Sequence, residues 1–495
     1  SQGIRRSKKR LKILKIKNDF IHLKPQFLNY LEELVGAKGF STDKEIILPY
    51  LYEQRENYNG FSQLLIKPET TIQLSKIIER CNSHNLKIVP IGGNTGLSGG
   101  CVPSEDGDEI LISLERMNKI RNFDDTNFTI TVEAGCVLSD IKSFVEKKDF
   151  FFPLGLASEG SCQIGGNLAT NAGGINVLRF GNTRELVLGL EAVLPDGKIW
   201  NGLRSLQKDN MGYSLKNLFI GSEGTLCLIT AATLKLFPKQ IKSKTILCCI
   251  NNLNSVIELL NLTRKLSSET LTSFELLSNF GVELSIKHHS NIKFPIKNKY
   301  TWYALIQISS SGENINLEDN LESIFSLALE KGIIEDAIIS KNEAQENNLW
   351  KVRESLSNAQ KLEGGSIKHD VSVPINSIPL FIDKASKEII KFFPGSRLCP
   401  FGHIGDGNIH FNISQPKKSQ KNDFLKKRKE INKIVYDIVM GLNGSISAEH
   451  GIGILKTKEL KNYRSPEEIE LMLKIKKAID PKGIMNPNKI FNEKI

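Results

Sequence analysis

The chain has no apolar run approaching the ~20 residues that a membrane-crossing helix needs, so an integral membrane protein is not expected. None of its eight cysteines sits in a CxxC pair, which removes cysteine-built zinc and iron–sulfur motifs. There is no CxxCH haem attachment either. With no secretory signal, free thiols in a reducing compartment are expected. The chain also lacks an overall basic surplus. Of a net charge of +11, +8 falls within residues 1–24, where Arg5, Arg6, Lys8, Lys9, Arg10, Lys12, Lys15, Lys17 and Lys24 face one acid, Asp19. A near-neutral body excludes a globally basic nucleic-acid binder. The basic leader reads as a solvated tail, with an organelle-targeting remnant or a membrane-surface contact as alternatives. Wholesale disorder is excluded by 40% hydrophobic and 24% charged residues. A length of 495 residues accommodates two to four domains at roughly 100–200 residues each.

Residues 27–60 read as helical and polar. From Leu64 the pattern predicts a strand, then a helix opened near Pro68-Glu69-Thr70 with Ile72, Leu74, Ile77 and Ile78 on one side, then a strand over 87–90. Strands are predicted at 109–114, 128–133, 187–194 and 226–237, and no helical face over 155–174. Residues 238–244 read as a boundary. Beyond it come a strand (245–250), a helix (254–266), a strand holding Glu275, a strand (302–308) and a helix (317–331). This predicts an antiparallel sheet with helices on one face. Helices follow at 341–363 and 376–393, two glycine-rich loops at 401–412 and 443–453, and a last helix at 466–479.

Glycine is concentrated in three places: Pro90-Ile91-Gly92-Gly93-Asn94-Thr95-Gly96-Leu97-Ser98-Gly99-Gly100, Gly165-Gly166-Asn167-Leu168-Ala169-Thr170-Asn171-Ala172-Gly173-Gly174, and Gly221-Ser222-Glu223-Gly224-Thr225. Without Cβ atoms, amide N–H groups can close around an anion. One such loop is an ordinary tight turn. Three within 135 residues, each beside a strand, point to a large phosphate-bearing cofactor. Neither GxGxxG nor GxxxxGK[ST] occurs at these places, which disfavours an NAD site and an ATPase.

These stretches, with the stretch 153–174 and GYSLKNLFIGSEGTLCLITAATLKLFP, resemble the FAD-binding domain of vanillyl-alcohol-oxidase-type flavoproteins. Within that type they are most similar to the FAD-dependent D-2-hydroxy-acid dehydrogenases, which include D-2-hydroxyglutarate dehydrogenase, D-lactate dehydrogenase and the glycolate oxidase flavin subunit. The resemblance covers roughly residues 45–495. It implies that Gly92, Gly93, Asn94, Thr95, Gly96 and Ser98, together with Ser158, Gly165, Gly166, Asn167, Thr170, Gly173 and Gly174, wrap the FAD pyrophosphate, with Gly224 and Ile229 near the adenine. Relatives that bind flavin covalently often carry His in the first loop. Asn94 stands there, which implies non-covalent FAD.

Only eight histidines are present, so their grouping carries weight. Two lie in Gly402-His403-Ile404-Gly405-Asp406-Gly407-Asn408-Ile409-His410-Phe411-Asn412, and a third follows a carboxylate in Glu449-His450-Gly451. Two imidazoles seven residues apart across a glycine turn fit a loop-to-strand hairpin. With a carboxylate and open positions they suit a catalytic divalent metal: zinc, with manganese or iron as alternatives. The resemblance implies His403, His410 and Glu449 as metal ligands, Asn412 as a substrate contact and His450 as the general base. It also implies Arg353 at the C1 carboxylate, and Ser357 and Lys368 at a second carboxylate. Ser357 stands where relatives specific for 2-hydroxyglutarate generally carry Thr. Asn488 stands where relatives have Gly, and reads as a tolerated turn.

The fold expected is α+β. A basic extension (1–26) precedes an FAD-binding domain (27–240), a substrate or cap domain with an antiparallel sheet (241–455) and a C-terminal helix and tail (456–495) that returns to the FAD domain. The function expected is FAD- and metal-dependent oxidation of a D-2-hydroxy acid, foremost D-2-hydroxyglutarate, with D-lactate or glycolate as the alternative. The chain has no motif for a second redox centre, so an external acceptor is expected: an electron-transfer flavoprotein, a cytochrome, a quinone or an iron–sulfur subunit. A homodimer is allowed. The bacterial cytoplasm is the expected compartment, the mitochondrial matrix the alternative.

Overall fold

The computed structural model describes residues 23–55 and 57–492, so the basic block up to residue 22 lies outside the described residues. Three larger sheets and one two-stranded sheet, Phe150–Phe151 with Phe237–Pro238, are formed among the described residues. The first runs in the order Phe40–Ser41, Leu65–Ile66, Glu109–Ser113, Lys87–Ile91, and its last three strands are parallel. Parallel neighbours need a crossover, which the helix Thr71–Ser83 supplies. Thr70 opens that helix by accepting the Gln73 N–H at 3.2 Å, and Leu74, Ile77, Ile78 and Cys81 are buried. Ile72, expected on that face, is 63% exposed. At 3.6 residues per turn it lies about 200° from Leu74.

The expected helix over 27–60 is broken. Only Pro25–Val35 is a full helix, because Gly36 turns the chain at φ +71°. Short pieces follow as far as the turn Leu48–Tyr50. The second sheet is antiparallel, in the order Ile120–Asp124, Thr129–Glu133, Leu228–Lys235, Val187–Val193, Ile199–Gly202. Within the stretch expected to be irregular, Ile164–Ala169 forms one short helix and buries Ile164 and Leu168.

The third sheet is large. Its order is Asp336–Ile339, Lys242–Ile250, Trp302–Ser310, Leu271–Ser278, Arg397–Gly402, Asn408–Ser414, Ser366–Ile367, with Val371–Ser372 also paired to Asn408–Ser414. All these pairings are antiparallel. Helices cover both faces, not one. Ile246, Cys248 and Ile250 pack with Leu253–Leu266, Leu317–Glu330, Ile378–Phe392 and Arg428–Gly441. Leu247 and Cys249 pack instead with Asn279–His288 and Glu343–Glu363. The unbroken apolar run Ile246–Ile250 is the sequence signature of such a doubly covered strand.

The C-terminal helix Pro466–Ile479 starts in a capping box between Ser465 and Glu468. The tail beyond it returns to the first sheet, where Ile88 N–H donates to Ile484 O at 2.8 Å. Asn488 adopts φ +62°, a left-handed turn that Asn accepts more readily than most residues. All eight cysteines are unpaired.

Candidate active site

The three glycine clusters converge on one solvent-open cleft. Of the residues expected to hold FAD, Gly92, Gly93, Asn94, Thr95, Gly96, Ser98, Gly165, Gly166, Asn167, Thr170, Gly224 and Ile229 line it. Ser158, Gly173 and Gly174 are not among the lining residues. Ser158 O instead closes a turn by accepting the N–H of Cys162 at 2.8 Å. Gly174 is small because a Cβ there would stand 1.9 Å from Gly155 O.

The cleft suits a ligand rich in donors and phosphate. A Cβ on Gly96 or Gly166 would meet nothing within 4 Å, so both positions leave room at the wall. Gln163 Oε1, Asn167 Oδ1 and Asn486 Oδ1 are buried without a hydrogen-bond partner. An unmet buried acceptor costs about 1–3 kcal/mol, and FAD carries hydroxyl and N–H donors that would meet them. Gln163, Cys227 and Asn486 escaped the sequence reading, and all three lie outside the three glycine clusters. Asn486 arrives from the returning tail and donates to Glu223 O at 2.6 Å. Asn94, at φ +53°, turns its amide outward and donates to Pro49 O and Tyr52 O, both at 3.2 Å.

The histidine hairpin forms as expected. Arg397–Gly402 pairs with Asn408–Ser414, with Phe401 opposite His410. The turn between them holds a short 3-10 segment, Ile404–Asp406, and Gly407 in the left-handed region at φ +89°. His403, His410 and Glu449 bring one donor atom each within 4.8 Å of one another, an arrangement that could hold a metal ion. Glu449 Oε1 lies 3.3 Å from His403 Nε2, and Glu449 Oε2 lies 4.0 Å from His410 Nε2. His450 joins the cluster and also lines the cleft. Its ring is 6.3 Å from that of His410 and inclined 17° to it.

Two buried carboxylates missed by the sequence reading organise this centre. Glu275 accepts from His403 Nδ1 at 2.6 Å and from Arg353 Nε at 2.5 Å. Asp370 accepts the backbone N–H groups of Glu449 and His450, both at 2.9 Å, and stands 3.4 Å from His450 Nδ1. The loop bearing His450 is also held from the cofactor side. Glu223 accepts from Ile452 N and Gly453 N at 2.8 and 2.7 Å, and Ser98 Oγ donates to His450 O at 2.9 Å.

These contacts set the charges. Burial opposes ionisation of Glu275, but His403 and Arg353 outweigh it and hold the carboxyl down at about 2. Asp370 lies well below the carboxylate range because His450, Lys456 and His410 overcome its burial. His403 is pushed well above the usual imidazole value, since Glu275 and Glu449 outweigh burial. Burial lowers His410 to about 3 and also lowers His450. The direction of that shift favours the neutral form of His450, the form that can accept a proton.

Arg353 lies near this centre, with its guanidinium 4.9 Å from the Phe401 ring centroid. Lys368 is half-buried and donates to Ser357 O at 3.0 Å. Burial, helped by the charge of Arg55, lowers it to about 8. The Ser357 side chain itself is exposed. Asn412 is 2% exposed and committed on both ends, donating to Gln360 Oε1 at 2.8 Å and accepting from His369 N at 3.2 Å. Arg55 was also missed. It is an exposed residue of the loop before Gly60, and its charge bears on Lys368, Asp370 and His450.

Comparison with known proteins agrees with this geometry. Residues 62–202 match the family model described as an FAD binding domain, and residues 240–490 match the C-terminal domain of FAD linked oxidases. The D-2-hydroxyglutarate dehydrogenase, mitochondrial, of Arabidopsis thaliana is 37% identical over 472 residues, covering 95% of this chain and 82% of the relative. The D-2-hydroxyglutarate dehydrogenase of Stutzerimonas stutzeri is 34% identical, covering 94% of this chain and 99% of the relative. The solved structure of p-cresol methylhydroxylase with substrate bound superposes with a TM-score of 0.74 at 15% identity, covering 95% of this chain and 98% of that one. It shares the fold. A cleft walled by glycine loops, a second unit of the oxidase type and relatives matched over 82% and 99% of their length lead to one conclusion: the chain belongs to the FAD-dependent D-2-hydroxy-acid dehydrogenase family of vanillyl-alcohol-oxidase-type flavoproteins, and is an FAD-dependent oxidoreductase.

Proposed function

We propose that the protein oxidises D-2-hydroxyglutarate to the 2-oxo acid, with D-lactate or glycolate as the alternative substrate. The observation that carries the reading is His450, which lines the cofactor cleft and also stands in the imidazole–carboxylate cluster. Oxidation removes the C2 hydrogen with its electron pair and the hydroxyl proton. Bound FAD supplies the two-electron acceptor, and a divalent ion held by His403, His410 and Glu449, zinc foremost, supplies a Lewis acid. The chain itself handles the proton. His450, its neutral form favoured by burial, accepts it from the hydroxyl, and Asp370, 3.4 Å from Nδ1, then stabilises the imidazolium.

Arg353 would pair with the C1 carboxylate. Lys368, with the exposed Ser357 beside it, would meet the distal one. Asn412 would reach the substrate only by giving up part of its present pairing with Gln360 and His369. Dye reduction with D-2-hydroxyglutarate, D-lactate and glycolate tests the assignment. The highest kcat/KM is expected for the dicarboxylate, and a preference for D-lactate would replace it. FAD is held without a covalent link, since Asn94 offers the flavin no nucleophile. Acid precipitation should leave a yellow supernatant, and flavin retained in the pellet would overturn this.

Of the division into 27–240, 241–455 and 456–495, the boundary at 240 coincides with the start of the second family match, which runs on to residue 490 across the boundary drawn at 455. Electrons leave to an external acceptor. No helix among the described residues is long and apolar enough to cross a membrane. The mitochondrial name of the plant relative supports a mitochondrial location, the alternative to the bacterial cytoplasm first expected.

A further inference from the structure

Glu275 lies outside every motif that the sequence offered, yet both halves of the catalytic centre depend on it. It sits on the strand Leu271–Ser278, whose register places Leu276 opposite Gly402, so Glu275 falls beside His403. Its side chain is 1% exposed. One oxygen accepts from His403 Nδ1 at 2.6 Å, and the other accepts from Arg353 Nε at 2.5 Å. His403 is a candidate metal ligand, and Arg353 the candidate anchor of the substrate carboxylate.

We infer that Glu275 is a positioning residue that serves the metal ligand and the substrate anchor together. By taking the Nδ1 proton of His403 into a hydrogen bond, it holds the ring so that Nε2, which must give up its proton to take a metal ion, faces Glu449 and His410. By holding Arg353 at Nε, it leaves the terminal Nη pair of the guanidinium for a carboxylate. A carboxylate suits this double task because it offers two acceptor oxygens. An amide of the same length offers one acceptor and one donor. Glutamine at 275 therefore cannot accept from both His403 and Arg353. The inference rests on the metal and substrate reading given above.

The test compares wild type with Glu275→Gln, both as FAD-loaded enzymes. Zinc affinity is read by competition with a chelator, and KM for D-2-hydroxyglutarate is read at saturating zinc. In E275Q zinc should bind 10–100-fold more weakly, the usual effect of removing a carboxylate behind a metal-bound histidine. Saturating zinc should not restore KM, which should stay raised on the order of 10-fold because Arg353 is no longer aimed. Unchanged zinc affinity would overturn the inference. So would a KM fully restored by zinc, since Glu275 would then serve the metal alone. Should E275Q fail to fold, Glu275→Asp provides the same readings, with both acceptors kept and one methylene lost. Wild-type enzyme that binds no zinc would overturn the metal reading and this assignment together. Wild-type binding matched by E275Q would overturn this assignment alone.

Discussion

The cofactor cleft and the imidazole cluster meet at His450 and are built from opposite materials. The cleft is a backbone site. Its lining holds one carboxylate, Glu223, and no Lys or Arg, so an anion there would be met by amide N–H groups. The cluster is a side-chain site in which Arg353, Glu275, His403, Glu449, His410, Asp370 and His450 form a chain, each within hydrogen-bonding or ion-pair reach of the next. Sites of the first kind should be sensitive to one added carbon and indifferent to nearby charge. Sites of the second kind should behave the other way round, because a buried charge that loses its partner costs several kcal/mol.

The sharpest break between the two should come at His450. His450→Asn should lower kcat by about 10²–10⁴-fold, the usual worth of a general base, while FAD content per protein stays at the wild-type value. Loss of flavin in step with activity would mean that His450 belongs to the cleft instead. Next in size is the metal. His403→Ala, or exhaustive chelation of wild type, should lower activity by about 100-fold or more, matching several kcal/mol of Lewis-acid stabilisation. The flavin absorbance should persist, and full activity in metal-free enzyme would remove the metal from the mechanism.

Charge at the far end of the pocket should have a smaller and selective effect. Lys368→Ala should reduce kcat/KM for D-2-hydroxyglutarate about 10–150-fold more than for D-lactate, which has no second carboxylate to strand. The same lysine gives a pH signature. It is held down at about 8 by burial and by Arg55, so it is charged below that pH and neutral above it. KM for the dicarboxylate should therefore rise above about pH 8, with KM for D-lactate flat across the same range. Equal pH dependence for both substrates would move Lys368 to the common end.

The smallest effect should come from the cleft. Gly166→Ala places a methyl group where no atom lies within 4 Å, so the fold and Tm should be unchanged while FAD binds on the order of 10-fold more weakly. Gly93→Ala is its counterpart, because the new Cβ would stand 2.2 Å from Ser161 O. There Tm should fall together with flavin content, and identical behaviour of the two variants would erase the distinction between wall and frame.

The contrast in materials also accounts for what could be read from the sequence. Glycine clusters are a one-dimensional signal, and twelve of the fifteen residues that the family resemblance placed in and around them line the cleft. His403, His410 and Glu449 were legible for the same reason, since each sits in a short glycine-rich loop. Glu275 and Asp370 were not, because their importance depends on which strands become neighbours. Glu275 lies 128 residues from His403, and Asp370 lies 79 and 80 residues from the two amides it accepts. The third sheet was recognised as antiparallel from its strand–helix alternation. Its second helical layer was missed although the unbroken apolar run Ile246–Ile250 carries the signal, because a run of five apolar residues also fits a strand covered on one face.

The loop that carries Glu449 and His450 hangs between two carboxylates, Asp370 of the large sheet's region and Glu223 of the glycine-rich region. This limits the modularity of the molecule. A chimera that took its flavin-binding half from a relative with another residue at 223 would keep the first two glycine clusters and both histidines of the hairpin. It would nonetheless lose one of the two moorings that aim the proton acceptor. Recombination within this family is therefore constrained less by the junction near residue 240 than by whether residues 223 and 370 are inherited as a pair.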